Sequence, residues 1–163
     1  MISIRQATAA DQNAIWRILE PVFRAGDTYT IDPNVSREDA LAYWLSPSHT
    51  TFVAEEGGDT LGTYYVRPNQ GGNGDHVANC GYITSETARG RGVARAMLEH
   101  SLKEAPRAGY QAMQFNFVVA TNVRAVETWK RYGFEIIGSQ PLAFRHPVQG
   151  LVDAYVMYKK FDL

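Results

Sequence analysis

The sequence predicts a mixed α/β sheet with helices on both faces. Apolar periodicity switches repeatedly between the alternation of a half-buried strand and the three-to-four spacing of an amphipathic helix. Read in order, the segments run β-α-α-β-β-β-α-β-α-β-β, and helices interleaved with strands imply a sheet covered on two sides. Glycines at Gly109 and Gly133 fall where helices must end, which fixes the phase of that order.

Ile2, Ile4 and Ala7 alternate with polar residues and form the first strand. Thr8-x-x-Asp11 then opens a helix, with an acid placed to reach back to the Thr8 amide. Ile15, Ile18, Leu19 and Val22 make its apolar stripe, and Pro21 is expected to kink or end it. A polar loop from Arg24 to Val35 leads to a second helix, opened by Ser36-x-x-Asp39 and stopped near Pro47. Thr50 to Glu55 and Leu61 to Val66 are strands joined across Glu56-Gly57-Gly58-Asp59. After a Gly-rich loop, Val77 to Thr84 is a strand, Val93 to Ala105 a helix, and Ala112 to Val119 a strand rich in β-formers. Asn122 to Tyr132 is a helix, and Phe134 to Ile137 and Val152 to Tyr158 complete the set.

The 163 residues suit one domain; two independent cores would be cramped. With 16 basic and 17 acidic residues the net charge is -1, which argues against a generally basic nucleic-acid binder. Cys80, the one cysteine, excludes an internal disulfide, and no Cys/His group has metal-ligand spacing. No apolar run approaches the roughly 20 residues that span a membrane. The start, Met1 to Gln6, has no apolar signal core, so a reducing cytoplasmic location is expected.

The chemistry concentrates in Arg89-Gly90-Arg91-Gly92-Val93-Ala94-Arg95, between a predicted strand and a predicted helix. Glycines let the backbone turn tightly, the free N–H groups of a helix start suit an anion, and the arginines add positive charge. The alternative is a solvated basic turn. Neither nucleotide-loop pattern fits: the third glycine of G-x-G-x-x-G would fall at Arg95, and Gly-Lys-Ser/Thr is absent.

Arg89-x-x-Gly92-x-Ala94 resembles the acyl-CoA loop of the GCN5-related N-acetyltransferase (GNAT) family, whose pattern is Arg/Gln-x-x-Gly-x-Gly/Ala. Asn122-x-x-Ala125-Val126 with Tyr132-Gly133-Phe134-Glu135, and the opening Ile4-Arg5-x-Ala7-Thr8-x-x-Asp11, are similar to two further segments of that family in the same order. The likeness spans residues 1–163, as one N-acetyltransferase domain. It implies a mostly antiparallel sheet in which two parallel strands, Val77–Thr84 and Ala112–Val119, splay apart around the pantetheine arm of acetyl-CoA. It also implies that the backbone at Ile83 and Thr84 and the loop Arg89 to Arg95 hold that cosubstrate, with no metal. Asn122 has two readings, a helix cap and a pantetheine ligand, and one side chain can serve both. Phe115-Asn116-Phe117-Val118, Asn122, Trp129 and Val152-Asp153-Ala154 together resemble a branch of the family acting on amino-acid-like amines, including fungal proline-analogue acetyltransferases.

Two departures from the family pattern bear on catalysis. Where relatives often carry a tyrosine beside the CoA sulfur, this chain has Trp129, whose indole donates a hydrogen bond but is no proton source. Glu86 stands where a proline is common, and is either a base for the incoming amine or an exposed charge. Asn116, polar in an apolar strand, either orients the reactants or is a satisfied sheet residue. By family likeness, Asp27, Tyr29 and Thr30 together with Phe144 and His146 wall the acceptor pocket, or the latter pair joins a subunit contact in a homodimer. The expected activity is acetyl transfer from acetyl-CoA to a small-molecule amine or amino acid, with no nucleic-acid or membrane partner. The rival is a non-catalytic acyl-CoA-binding module.

Overall fold

The computed structural model describes residues 1–163. The elements are β1 (Ser3–Gln6), α1 (Gln12–Ala25), α2 (Arg37–Trp44), β2 (Thr50–Glu56), β3 (Asp59–Pro68), β4 (Val77–Thr84), α3 (Val93–Arg107), β5 (Ala112–Val119), α4 (Val123–Arg131), β6 (Glu135–His146) and β7 (Gly150–Lys160). They build one sheet in the order β1-β2-β3-β4-β5-β7-β6. Every neighbouring pair is antiparallel except β4 and β5.

Alternation along the strands divides the core in two. On one face Ile15, Leu19 and Phe23 of α1 and Leu41 and Trp44 of α2 bury against Val53, Tyr65 and Ile83. On the other, Val93 and Met97 of α3 and Val126 of α4 bury against Tyr64, Met113, Phe115 and Met157. Each fully buried aliphatic or aromatic side chain contributes roughly 1.5–3 kcal/mol. Polar groups inside are paired: the Trp44 indole donates to Thr63 Oγ1 at 3.0 Å, which donates to the Phe52 carbonyl at 2.8 Å.

Local chemistry departs from the sequence expectations in two places. α1 continues four residues past Pro21, because Phe23 still packs in the core and holds the last turn. The last two strands are much longer than Phe134–Ile137 and Val152–Tyr158 suggested. β6 is the sheet edge, so Pro141 loses no ladder bond on its outer side, and the strand absorbs its polar stretch in two register shifts. Leu142 takes φ 52° there, with its amide held by Asp153 Oδ1 at 2.9 Å.

Candidate active site

The sheet opens between β4 and β5. The two strands pair only at Val77–Ala112 and Ala78–Met113, then part. Beyond that point Asn79 donates from Nδ2 to the Gln114 carbonyl at 2.9 Å, a side chain spanning where a ladder bond has stopped. The register with β3 decides which β4 backbone groups face the opening. Ser85 donates to the Leu61 carbonyl and Asn69 to the Val77 carbonyl, so the odd-numbered residues of β4 bond to β3. Cys80, Tyr82 and Thr84 therefore turn their N–H and C=O groups into the gap. The Tyr82 carbonyl is taken by the Tyr29 hydroxyl at 3.0 Å. Ile83 lines the cleft with its largely buried side chain while its backbone bonds to β3, so of the Ile83–Thr84 pair expected from the sequence only Thr84 turns its backbone to the gap, together with Tyr82.

A cleft of about 550 Å³ runs through this gap from one face of the sheet to the other. On the α3–α4 face it is lined by Thr84, Ala94, Asn122, Ala125, Thr128 and Trp129. Trp129 packs against Tyr82 and Phe115 with ring centroids 5.5 and 4.6 Å apart. Asn122 precedes α4, but its side chain caps no amide. It is left free on the cleft wall. Next to this mouth lies the glycine loop. Gly90 and Gly92 have φ of 77° and 80°, a conformation that other residues adopt only with strain, and nothing occupies the space beside either. Val93, Ala94 and Arg95 open α3, so their amides have no carbonyl a turn behind them. Of the loop arginines, Arg91 is paired to Glu56 at 2.5 Å and Arg95 to Glu99 at 2.8 Å. Arg89 is exposed and has no carboxylate partner.

On the α1–α2 face the cleft is lined by Thr28, Tyr29, Thr30, Tyr43, Tyr65, Arg67, Asn79 and Asn116. Tyr43 and Tyr65 share a hydroxyl–hydroxyl bond of 2.9 Å. Gly81 makes room for this arrangement: a Cβ there would stand 2.8 Å from the Tyr65 ring. Asn116 donates to Asn69 Oδ1 at 2.7 Å and accepts from Gln114 Nε2 at 2.9 Å, which makes it a satisfied sheet asparagine on the cleft wall. Burial raises the pKa of Tyr29, Tyr65 and Tyr82, so all three stay neutral. Burial also pushes the Cys80 thiol up to about 12, and it is no nucleophile at neutral pH. No Asp or Glu lines the cleft.

The profile of the acetyltransferase (GNAT) family matches residues 13–134. The chain belongs to the GNAT acetyltransferase family. N-acetyltransferase aca1 of Schizosaccharomyces pombe is 29% identical, over 83% of this chain and 73% of that protein. A GCN5-related N-acetyltransferase from Kribbella flavida is 40% identical over 98% of both chains, with a TM-score of 0.93. The fold is shared more widely: YncA, a putative acetyltransferase from Salmonella typhimurium solved with acetyl-CoA, superposes with a TM-score of 0.87 at 20% identity, over 100% of this chain and 95% of that one. The protein is thus an acetyl-CoA-dependent N-acetyltransferase.

Some expected GNAT site residues stand elsewhere. Glu86 is exposed in a short 3-10 turn after β4, outside the cleft. Asp27 is half-buried but not on the wall, unlike its neighbours Thr28 to Thr30. Phe144 packs on the cleft residue Phe117, centroids 6.1 Å apart, without reaching the cleft. His146 accepts from the amides of Val148 and Gln149, both at 3.1 Å, and so caps the β6–β7 turn. Both residues belong to the β6–β7 hairpin, and neither is on the cleft wall. Tyr132, three residues from Trp129, donates to Glu99 at 2.8 Å on the surface. Conversely, Arg67, Asn79, Tyr43, Tyr65 and Tyr82 line the cleft and were not read as site residues. Only the strand register, through the alternation with Ile83 and Tyr65, would have pointed to Arg67 and Asn79.

Proposed function

We propose that this acetyltransferase moves an acetyl group directly from acetyl-CoA to the neutral amine of a small molecule or amino acid. The observation that carries the reading is the continuous cleft through the β4–β5 gap, with the Thr84 amide facing it between the glycine loop and a tyrosine-lined chamber. Gly90, Gly92 and the first-turn amides of Val93, Ala94 and Arg95 hold the pyrophosphate, and Arg89, free of internal partners, adds charge. Asn122 bonds the pantetheine, and Trp129 walls the sulfur. The Thr84 N–H donates to the thioester oxygen as it gains negative charge. The thiolate leaves unprotonated, which a reference thiol pKa of roughly 8.5 permits near neutral pH. Much of the rate comes from holding both reactants in one cleft.

The chamber favours a small acceptor. Tyr29 ties the Thr28–Thr30 loop to β4 and covers this side. A panel of amino acids and amines, assayed by release of the CoA thiol, tests the reading: turnover with small acceptors supports it, and turnover only with peptide N-termini contradicts it. We further infer that two copies associate through the β6–β7 hairpin, where Ile137, Leu142 and Leu151 are more than half exposed. A cytoplasmic site of action fits the single reduced thiol of Cys80.

A further inference from the structure

We propose that Arg67 anchors a carboxylate on the acceptor, so that the acceptors are small amino acids rather than simple amines; this rests on the small-acceptor reading above. Arg67 shares the parity of Tyr65 on β3, which puts it on the α1–α2 face, inside the chamber. It is half-buried. Its Nε donates to Asn79 Oδ1 at 3.3 Å, and Asn79 is itself held by the Gln114 carbonyl at 2.9 Å. The guanidinium is therefore fixed by one edge to the mouth of the gap. Its two terminal amino groups make no hydrogen bond within the chain, and no carboxylate lies within ion-pair distance. No Asp or Glu lines any part of the cleft, and the other lining cation, Arg124, sits on α4 on the opposite face.

A cation in a partly dry, acid-free chamber is costly unless an anion joins it. The two free donors of a guanidinium form the fork that a carboxylate fills with parallel bonds. Arg67 lies opposite Asn79, three residues before Tyr82, which is about 10 Å along β4 at roughly 3.3 Å per residue. That distance, less the reach of the arginine side chain, leaves room for one small amino acid between the anchor and the backbone amides of the gap. The same charge explains how the amine is made ready without a carboxylate base. A guanidinium close to an ammonium disfavours its protonated form, so the acceptor nitrogen loses its proton to solvent more easily in the chamber. A polyamine, cationic along its length, is repelled by the same group.

The test compares amino acids, their matching carboxamides and their decarboxylated amines as acceptors for wild type, Arg67→Lys and Arg67→Gln. Wild type is expected to favour the acid over its carboxamide by about 100-fold in kcat/KM, as a desolvated charge pair permits. Arg67→Gln should bring that ratio close to one while the acetyl-CoA KM and the melting temperature stay put, and Arg67→Lys should keep part of the preference. Carboxamides or amines used as well as acids by wild type, or an Arg67→Gln loss equal for acids and amides, overturns the anchor but leaves the small-acceptor reading standing. Acids, amides and amines all inert in a protein that binds acetyl-CoA overturns both. Titration of the CoA-saturated protein with N-acetyl-amino acids gives a second readout independent of turnover: affinity that does not fall in Arg67→Gln contradicts the anchor.

Discussion

Trp129 shows how one side chain constrains the chemistry. It stands on the cleft wall against Tyr82 and Phe115, and both nearby tyrosine hydroxyls are engaged elsewhere, Tyr82 with Ser101 Oγ at 2.6 Å and Tyr132 with Glu99 at 2.8 Å. Trp129→Phe should therefore keep most of kcat at pH 8, with a loss below the roughly 100-fold that removal of a general acid brings. Trp129→Ala should cost more, with a lower melting temperature and a higher acetyl-CoA KM, because it strips a half-buried indole from the cleft wall. A folded Trp129→Phe variant that binds acetyl-CoA but is inactive would give the indole a role denied here. Far from the cleft, Arg5 holds Asp11 by two bonds of 2.9 Å, and Asp11 also accepts the Thr8 amide at 2.7 Å. Hydrogen bonding from Arg5 first, then the Thr8 amide, holds this buried carboxyl at about 2, against an ordinary value of 3.8. The folded pKa is depressed, so the contribution is complete above pH 4 and disappears as pH falls through 2. Asp11→Asn should lose about 2 kcal/mol at pH 7 by denaturant titration, and the gap from wild type should close towards pH 2.

Elements carry the binding geometry. The turn into α3 works through left-handed glycines and unpaired amides, so Gly92→Asp should abolish acetyl-CoA binding in isothermal titration by strain and by charge. Unchanged affinity in a folded variant would remove the loop from the cosubstrate site. Between α1 and α2, Tyr29 is the tie to β4. Tyr29→Phe frees the Tyr82 carbonyl and should raise the acceptor KM several-fold more than the acetyl-CoA KM, whereas His146→Ala, at its hairpin turn, should change neither. The glycine loop and the helices were legible because each lies within a few residues of chain: Arg89-x-x-Gly92-x-Ala94 and the α3 stripe need no partner to be read. The orientation of β4 was not. Whether Ile83 or Tyr82 faces the gap depends on the Leu61–Ser85 pairing across β3. Arg67 follows the strand expected to end at Val66, and its place opposite Asn79 appears only once β3 and β4 are paired. β6 was cut short because Gly138 to Pro141 has loop composition, and only an edge position makes it a strand.

At the scale of the molecule, the sheet separates two helical layers, and the cleft through its β4–β5 gap joins their two sides. The absence of any carboxylate on the cleft wall has a kinetic consequence. The acid limb of kcat/KM should follow the pKa of the acceptor amine across a series of acceptors; a limb fixed at one pH for all of them would reveal an enzyme base. Light scattering should report a dimer, and Leu151→Lys on the exposed hairpin should yield monomers. On the proposed reading, the acetyl group crosses the gap in one step, with both reactants bound. Cys80 is the only thiol near the path, and it is held protonated by burial. Initial velocities measured against acceptor at several fixed acetyl-CoA concentrations test this most directly. Direct transfer gives intersecting double-reciprocal lines and no acetylated protein after incubation with acetyl-CoA alone; parallel lines with an acetyl group on Cys80 would contradict it.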